Sequence, residues 1–213
     1  MKKSVLSLFM FVSFVVSAYS QLGVKVGVNM ANEMRSYTMS GVSETFSTNN
    51  FTGYQVGLVY QLMPKKSGLG CELGLMLSQK GSSYVDSTDV SAVKSGYRQF
   101  DYVDLPFNLR YRLSLGFLGV YGSAGIYAGY ALSGKTVAEI STSLKSASFQ
   151  AFTDRVDYGY NLGGGLELFK QVQIGVNWSR GLVKRTDGVL PWSTLPVKSS
   201  NHVFSISLVY MFW

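Results

Sequence analysis

Three groups of residues in this chain carry chemistry by type or spacing. The one histidine, His202, has Ser193, Ser199, Ser200 and Asp187 near it in sequence. An imidazole that takes the proton of a serine hydroxyl, itself oriented by a carboxylate, is the arrangement of a serine hydrolase, and it needs the groups within hydrogen-bond reach. A single histidine among abundant serines is also what composition alone supplies, and the simpler reading is an aromatic ring at a loop edge. The second group is Gly129-Tyr-Ala-Leu-Ser-Gly134-Lys135-Thr136, a literal match to the loop whose N–H groups and lysine cradle nucleotide phosphates at a helix start. That loop belongs between a strand and a helix of a parallel unit, which the flanking sequence does not offer, so no nucleotide is expected. The third group is Lys25, Glu72, Asp104, Arg110, Arg112, Asp157 and Glu167, which share one parity of strand-like segments. A metal is not expected, because one His, Cys71 and scattered carboxylates make no ligand set. No cofactor and no enzymatic activity are expected either.

Composition limits what can position these residues. The 213 residues are 46% hydrophobic and only 15% charged, with 23 glycines, whereas an average protein is about 25% charged, so disorder is excluded. The formal charge of +7 is spread without runs, which argues against a nucleic-acid partner. Met1-Lys2-Lys3 precedes an uncharged apolar run from Val5 to Ala18, and Ala18-Tyr19-Ser20 places small residues before Gln21. This is a secretory signal peptide over residues 1–20, cleaved between Ser20 and Gln21, with residues 21–213 as the mature domain. The run rises only about 21 Å as a helix, short of the roughly 30 Å of a hydrocarbon core.

Beyond residue 21, apolar residues alternate with small or polar ones, the period of a strand with two different environments. The pattern recurs over Leu22 to Met30, Phe51 to Met63, Leu69 to Lys80, Tyr97 to Leu113, Phe117 to Leu132, Val156 to Phe169, Gln171 to Leu182 and Asn201 to Trp213. The polar parity mixes charged residues with glycine, as a narrow lumen requires. Tyr54, Tyr130, Tyr158, Trp178, Tyr210 and Phe212 lie near stripe ends, where interface aromatics belong. Connections alternate in length, with long ones at 31–50, 81–96, 133–155 and 183–200 and short ones at 64–68, 114–116 and around Lys170. The expected fold is an all-β, eight-stranded antiparallel transmembrane up-and-down β-barrel of the bacterial outer membrane, with both termini periplasmic. Leu113 to Leu132 is uncharged and holds Gly125 and Gly129 four apart, but five glycines and period two argue against a membrane helix there.

The seven inward charges must pair. Strand directions bring Glu72 to the depth of Arg110 and Arg112, so Glu72 is expected to bond one or both, with Lys25 and Glu167 completing a network. Eight strands leave an interior that side chains fill, so a plug is expected, with an ion or proton path as the alternative. Pro106 interrupts a strand and calls for a bulge or a polar partner in the lumen.

Gly23-Val-Lys25-Val-Gly27-Val-Asn29, Glu72-Leu-Gly-Leu-Met-Leu-Ser78-Gln79-Lys80-Gly81 and Tyr102-Val-Asp104-Leu105-Pro106-Phe-Asn-Leu109-Arg110-Tyr111 resemble the PorT-like outer-membrane β-barrel family. The resemblance covers the mature chain and implies a small porin-like barrel of a Gram-negative envelope, with a namesake linked to protein secretion. It brings no catalytic motif. The function expected is a structural or binding one carried by four surface loops, accessory to secretion. Its partners would be outer-membrane lipid and envelope or secretion-system proteins. The loop from Lys184 to Ser200, with Pro191, Trp192 and Pro196, is the expected contact surface. The alternatives are a narrow channel for small solutes or ions and a lipid-modifying enzyme using His202.

Overall fold

The computed structural model of the protein describes residues 20–39, 42–47, 49–64, 67–86, 94–138, 145–146, 155–183, 185–189 and 196–212. The described residues form β1 (Ser20–Met39), β2 (Val42–Ser47), β3 (Asn49–Leu62), β4 (Gly68–Asp86), β5 (Lys94–Leu115), β6 (Leu118–Ala138), β7 (Lys145–Ser146), β8 (Val156–Leu168), β9 (Val172–Gly181), β10 (Arg185–Val189) and β11 (Pro196–Met211). Pairing runs β1-β3-β4-β5-β6-β8-β9-β11, and β11 pairs again with β1, all antiparallel. The ring is therefore a closed barrel of eight staves. Closure is what hydrocarbon demands of a sheet, because an open edge would leave a row of N–H and C=O groups with no partner. β2, β7 and β10 extend β1, β6 and β11 at the end remote from the termini.

Side-chain parity sorts the two faces. One rung across five staves reads Leu166, Ile174, Leu208, Val26 and Val56. These side chains are 38–48% exposed, a loss in water and a gain against lipid chains. Rungs of the same kind lie above and below it. From Leu22 to Asn32 the strand rises about 33 Å, or about 25 Å along the axis at a tilt near 40°, the height of the apolar band of such barrels. Tyr54, Tyr158, Tyr210 and Phe212 are exposed on this outer face, and Tyr130 and Trp178 are half-buried there. Tyr210 meets Phe212 edge-on at 5.7 Å at the terminal end.

Several segments read as loops are partly ladder. β1 continues to Met39, β4 to Asp86 and β6 to Ala138, so hairpins carry on past the apolar band. Backbone pairing does not stop where the lipid does, and the polar sequence there hid its continuation. Leu113 to Leu132 forms the β5–β6 hairpin, turning at Gly116 with φ 81°. Gly129 to Thr136 lies wholly inside β6, without the helix start that a phosphate loop uses. The bulge expected at Pro106 is absent. The β4–β5 ladder resumes in register on both sides, Leu73 opposite Phe107 and Met76 opposite Asp104. Gly74 makes the room, since a Cβ there would stand 2.8 Å from the Pro106 ring; the bulge on β5 lies at Asp101/Tyr102 instead. Residues 1–19 and the Pro191 and Trp192 positions lie outside the described residues. Ser20 and Gln21 open β1.

The β8–β9 turn places Phe169 and Lys170 at φ 53° and 60°, a left-handed conformation that costs a residue with a Cβ roughly 1–2 kcal/mol. Lys170→Gly should therefore stabilise the barrel by about 1 kcal/mol, read as a higher temperature for conversion of the folded to the unfolded band on a gel. Leu208→Arg, in the middle of the apolar band, should cost about 2–4 kcal/mol in a denaturant titration from lipid vesicles.

Candidate functional site

The candidate site is the bore. Its walls are the inward parity of the staves, where alternation has placed amides, hydroxyls and charges opposite a lipid-facing apolar set. Glycine sets how close these groups come. Inward Gly165 and Gly175 leave the space that the Tyr121 hydroxyl occupies, and a Cβ at Gly165 would sit 2.7 Å from it. A phenol ring can then lie across the bore beneath a guanidinium.

Nearer the terminal end, polar groups form one connected layer. Arg110 Nη1 donates to Glu72 Oε2 at 2.6 Å and Nη2 to Gln173 Oε1 at 2.9 Å. Gln61 donates to Glu72 at 2.6 Å and exchanges two bonds with Gln173, each at 3.1 Å. Gln173 Nε2 donates to Glu167 Oε2 at 3.0 Å, and Arg112 Nη1 donates to Glu167 Oε1 at 2.8 Å. Arg112 Nη2 donates to the Pro64 carbonyl. The Arg110 guanidinium stacks 3.4 Å from the centre of the Tyr121 ring. Apolar Val59, Met76, Val209 and Met211 are buried beside this layer.

Several of these bonds do not follow the ladder. Gln61 on β3 and Gln173 on β9 are separated by β1 and β11, Arg112 on β5 and Glu167 on β8 by β6. Their bonds therefore cross the bore. Arg110 and Arg112 are each 2% exposed, Glu72 5% and Glu167 3%, so water reaches none of them freely. An ion pair held this way is costly to half-remove, since the remaining charge is left without partner or solvent.

A second layer lies toward the opposite end. Lys80 Nζ stands 2.9 Å from Asp104 and 3.7 Å from Asp157, with the Tyr102 and Tyr127 rings at 4.6 and 4.7 Å. Tyr127 and Asn201 both donate to Asp157 Oδ2, at 3.3 and 2.9 Å. Between the layers is a cavity of about 50 Å³ lined by Lys25, Asn29, Gln55, Asn108, Asn161 and Asn177 among others. A smaller one of about 20 Å³ adjoins Glu72, Arg110 and Tyr121. A water needs roughly 10–15 Å³ on this measure, so both have room for water. Asn161 to Asn108, at 3.3 Å, and Asn29 to Ser78, at 3.0 Å, bridge strands at this depth.

The seven charges read from the sequence thus divide. Glu72 takes Arg110, while Arg112 takes Glu167. Asp104 and Asp157 belong to the other layer, around Lys80. Lys25 faces the bore within electrostatic reach of Glu72 but without an ion pair at contact distance among the described residues. Lys80 was not among the seven, although its even number continues the inward series of Glu72 and Ser78. Gln61, Gln173 and the bore tyrosines were missed because a neutral residue on the inward parity gives no charge to balance. His202 faces outward, its ring edge-on to Trp178 at 6.2 Å, and its Nε2 has no hydrogen-bond partner. The side chains of Asp187, Ser193, Ser199 and Pro196 lie outside the described residues.

Residues 11–184 match the family model described as outer membrane protein beta-barrel domain. No curated protein matches the chain. Among solved structures, the outer membrane protein OprG from Pseudomonas aeruginosa is 13% identical, with 91% of this chain and 96% of that chain covered and a TM-score of 0.47. The outer membrane enzyme PagL is 12% identical over 88% and 98% of the two chains, with a TM-score of 0.45. Ail, the attachment invasion locus protein of Yersinia pestis, is 14% identical over 90% and 99%, with a TM-score of 0.37.

Truncating one partner of the buried pair should be worse than neutralising both. Arg110→Met is expected to cost about 3–5 kcal/mol in unfolding from vesicles, and adding Glu72→Gln should restore a large part of that loss. Equal or additive losses would mean that the pair is not coupled.

Proposed function

The chain belongs to the family of outer membrane protein β-barrel domains, and on that premise we propose a closed, non-conducting barrel with both termini in the periplasm. Its work is done at the opposite, external end, where β2, β7 and β10 prolong the hairpins. The observation that carries this reading is the layer of hydrogen bonds across the bore, from Gln61 to Gln173 and from Arg112 to Glu167. A pore for solutes would leave its axis open, and here side-chain contacts occupy it.

Charge balance supports the same reading. Among the inward strand residues whose side chains are described, the cations Lys25, Lys80, Arg110 and Arg112 equal in number the carboxylates Glu72, Asp104, Asp157 and Glu167. Ion-selective passages present a ring of one sign; a balanced, mutually paired set serves cohesion. The external segments are then left as the binding surface, and an accessory role beside other envelope proteins is the form of binding that the PorT-like resemblance favours.

In planar bilayers the wild-type protein should show no sustained unit conductance, while Arg110→Ser combined with Arg112→Ser should open discrete steps. Steps in the wild type would establish the channel reading instead. Gentle detergent extraction should bring other envelope proteins down with the barrel, and a solitary barrel would contradict the accessory role.

A further inference from the structure

The outer face holds a rung that does not match its neighbours. Four apolar rungs stack across β8, β9, β11, β1 and β3, ending in Leu162, Trp178, Phe204, Met30 and Thr52. The next rung away from the termini reads Tyr160, Arg180, His202, Asn32 and Asn50. Four of these five outward positions thus change from apolar to hydrogen-bonding within two residues of strand, and the fifth, Thr52 to Asn50, is polar on both rungs. That step marks the edge of the hydrocarbon on this side of the barrel, at the depth where lipid head groups begin.

Arg180 is the feature this rung cannot satisfy by itself. It is exposed, it is the one Lys or Arg on the outward parity of the staves among the residues whose side chains are described, and none of those residues forms an ion pair with it. Beside it, His202 Nε2 is enclosed without a hydrogen-bond partner. Trp178 forms the floor, edge-on to Tyr160 at 5.7 Å and to His202 at 6.2 Å. Asn32 donates from Nδ2 to Asn50 Oδ1 at 3.1 Å, and a neutral amide oxygen brings no negative charge to balance the guanidinium. The opposite side of the barrel shows what a completed boundary looks like. There the charge of Asp101 is met from within the protein, by Gln79 at 3.1 Å and Ser133 at 2.7 Å.

A cation at head-group depth with no acidic partner in the protein is placed to draw an anion from the membrane. The guanidinium fork matches phosphate oxygens in pairs of hydrogen bonds, and an indole floor beside it suits the glycolipid or glycerol body that carries the phosphate. We infer that Arg180, with His202 and Trp178, binds the phosphate head group of a lipid in the outer leaflet, a phosphorylated glycolipid of the lipid A type. The leaflet follows from the orientation proposed above; the site itself is independent of whether the bore is closed.

The test is native mass spectrometry and titration of the full mature barrel in mild detergent with bis-phosphorylated lipid A, dephosphorylated lipid A and phosphatidylglycerol as probes. The wild type should bind the bis-phosphorylated form at least about tenfold tighter than the dephosphorylated one, and Arg180→Gln should remove about that factor. Lys170→Gln, at the terminal end, should leave binding unchanged. Equal binding of the phosphorylated and dephosphorylated lipids by the wild type would overturn the inference without any variant having to fold. Undiminished binding by folded Arg180→Gln would overturn it as well. Displacement by millimolar inorganic phosphate would reduce the site to one for free anions, and preference for phosphatidylglycerol would place the rung in the wrong leaflet. A conducting wild-type barrel would sink the closed-bore reading and leave this result standing.

Discussion

Hydrocarbon offers no hydrogen bond, and the organisation of this chain descends from that fact. A sheet immersed in lipid has to pair its first stave with its last, and β1 meets β11 along fourteen residue pairs from Gly23 with Met211 to Ser36 with Lys198. Once the ring is closed, the period of the strand separates two solvents. The outward parity dissolves in lipid, and the inward side chains of the polar layer are withdrawn from water. Polar groups there must satisfy one another, which is why Gln61, Glu72, Arg110, Arg112, Glu167 and Gln173 share one connected layer. The lipid-facing surface and the interior network are two outcomes of one constraint.

Much of this can be read from residue order alone. Alternation identifies which side chains face inward, and antiparallel direction brings Glu72 to the depth of the arginines on the neighbouring stave. Contacts across the bore are a different matter. Which residue of β8 stands opposite Arg112 depends on the tilt and stagger of the closed ring, and these are sums over all eight pairings. Arg112 consequently meets Glu167 and leaves Glu72 to Arg110, a division that strand direction could not foretell. Lys80 was within reach of a parity count, whereas Gln61 and Gln173 carry no charge that demands a partner. The extension of the hairpins beyond the lipid was hidden for a related reason. Outside the membrane both faces meet water, so the period that announces a strand fades while its backbone pairing continues.

The two polar boundaries on the outer face show the same physics at the surface. Asp101 is answered by Gln79 and Ser133 from its own barrel, and Arg180 has no such answer among the described residues. At head-group depth an anionic lipid is the counter-charge within reach of such a cation, as proposed above.

The central claim is that bonds across the bore, and not only the ladder around it, hold the barrel closed. A double-mutant cycle on Arg112 and Glu167 tests it most directly, because β6 stands between the two staves and no backbone pairing links them. Unfolding of wild type, Arg112→Met, Glu167→Gln and the double variant from lipid vesicles should give a coupling energy of about 2 kcal/mol or more, toward the upper part of the range for contacting residues. Additive losses, with coupling within about 0.5 kcal/mol of zero, would contradict the account and leave the bore filled but not braced.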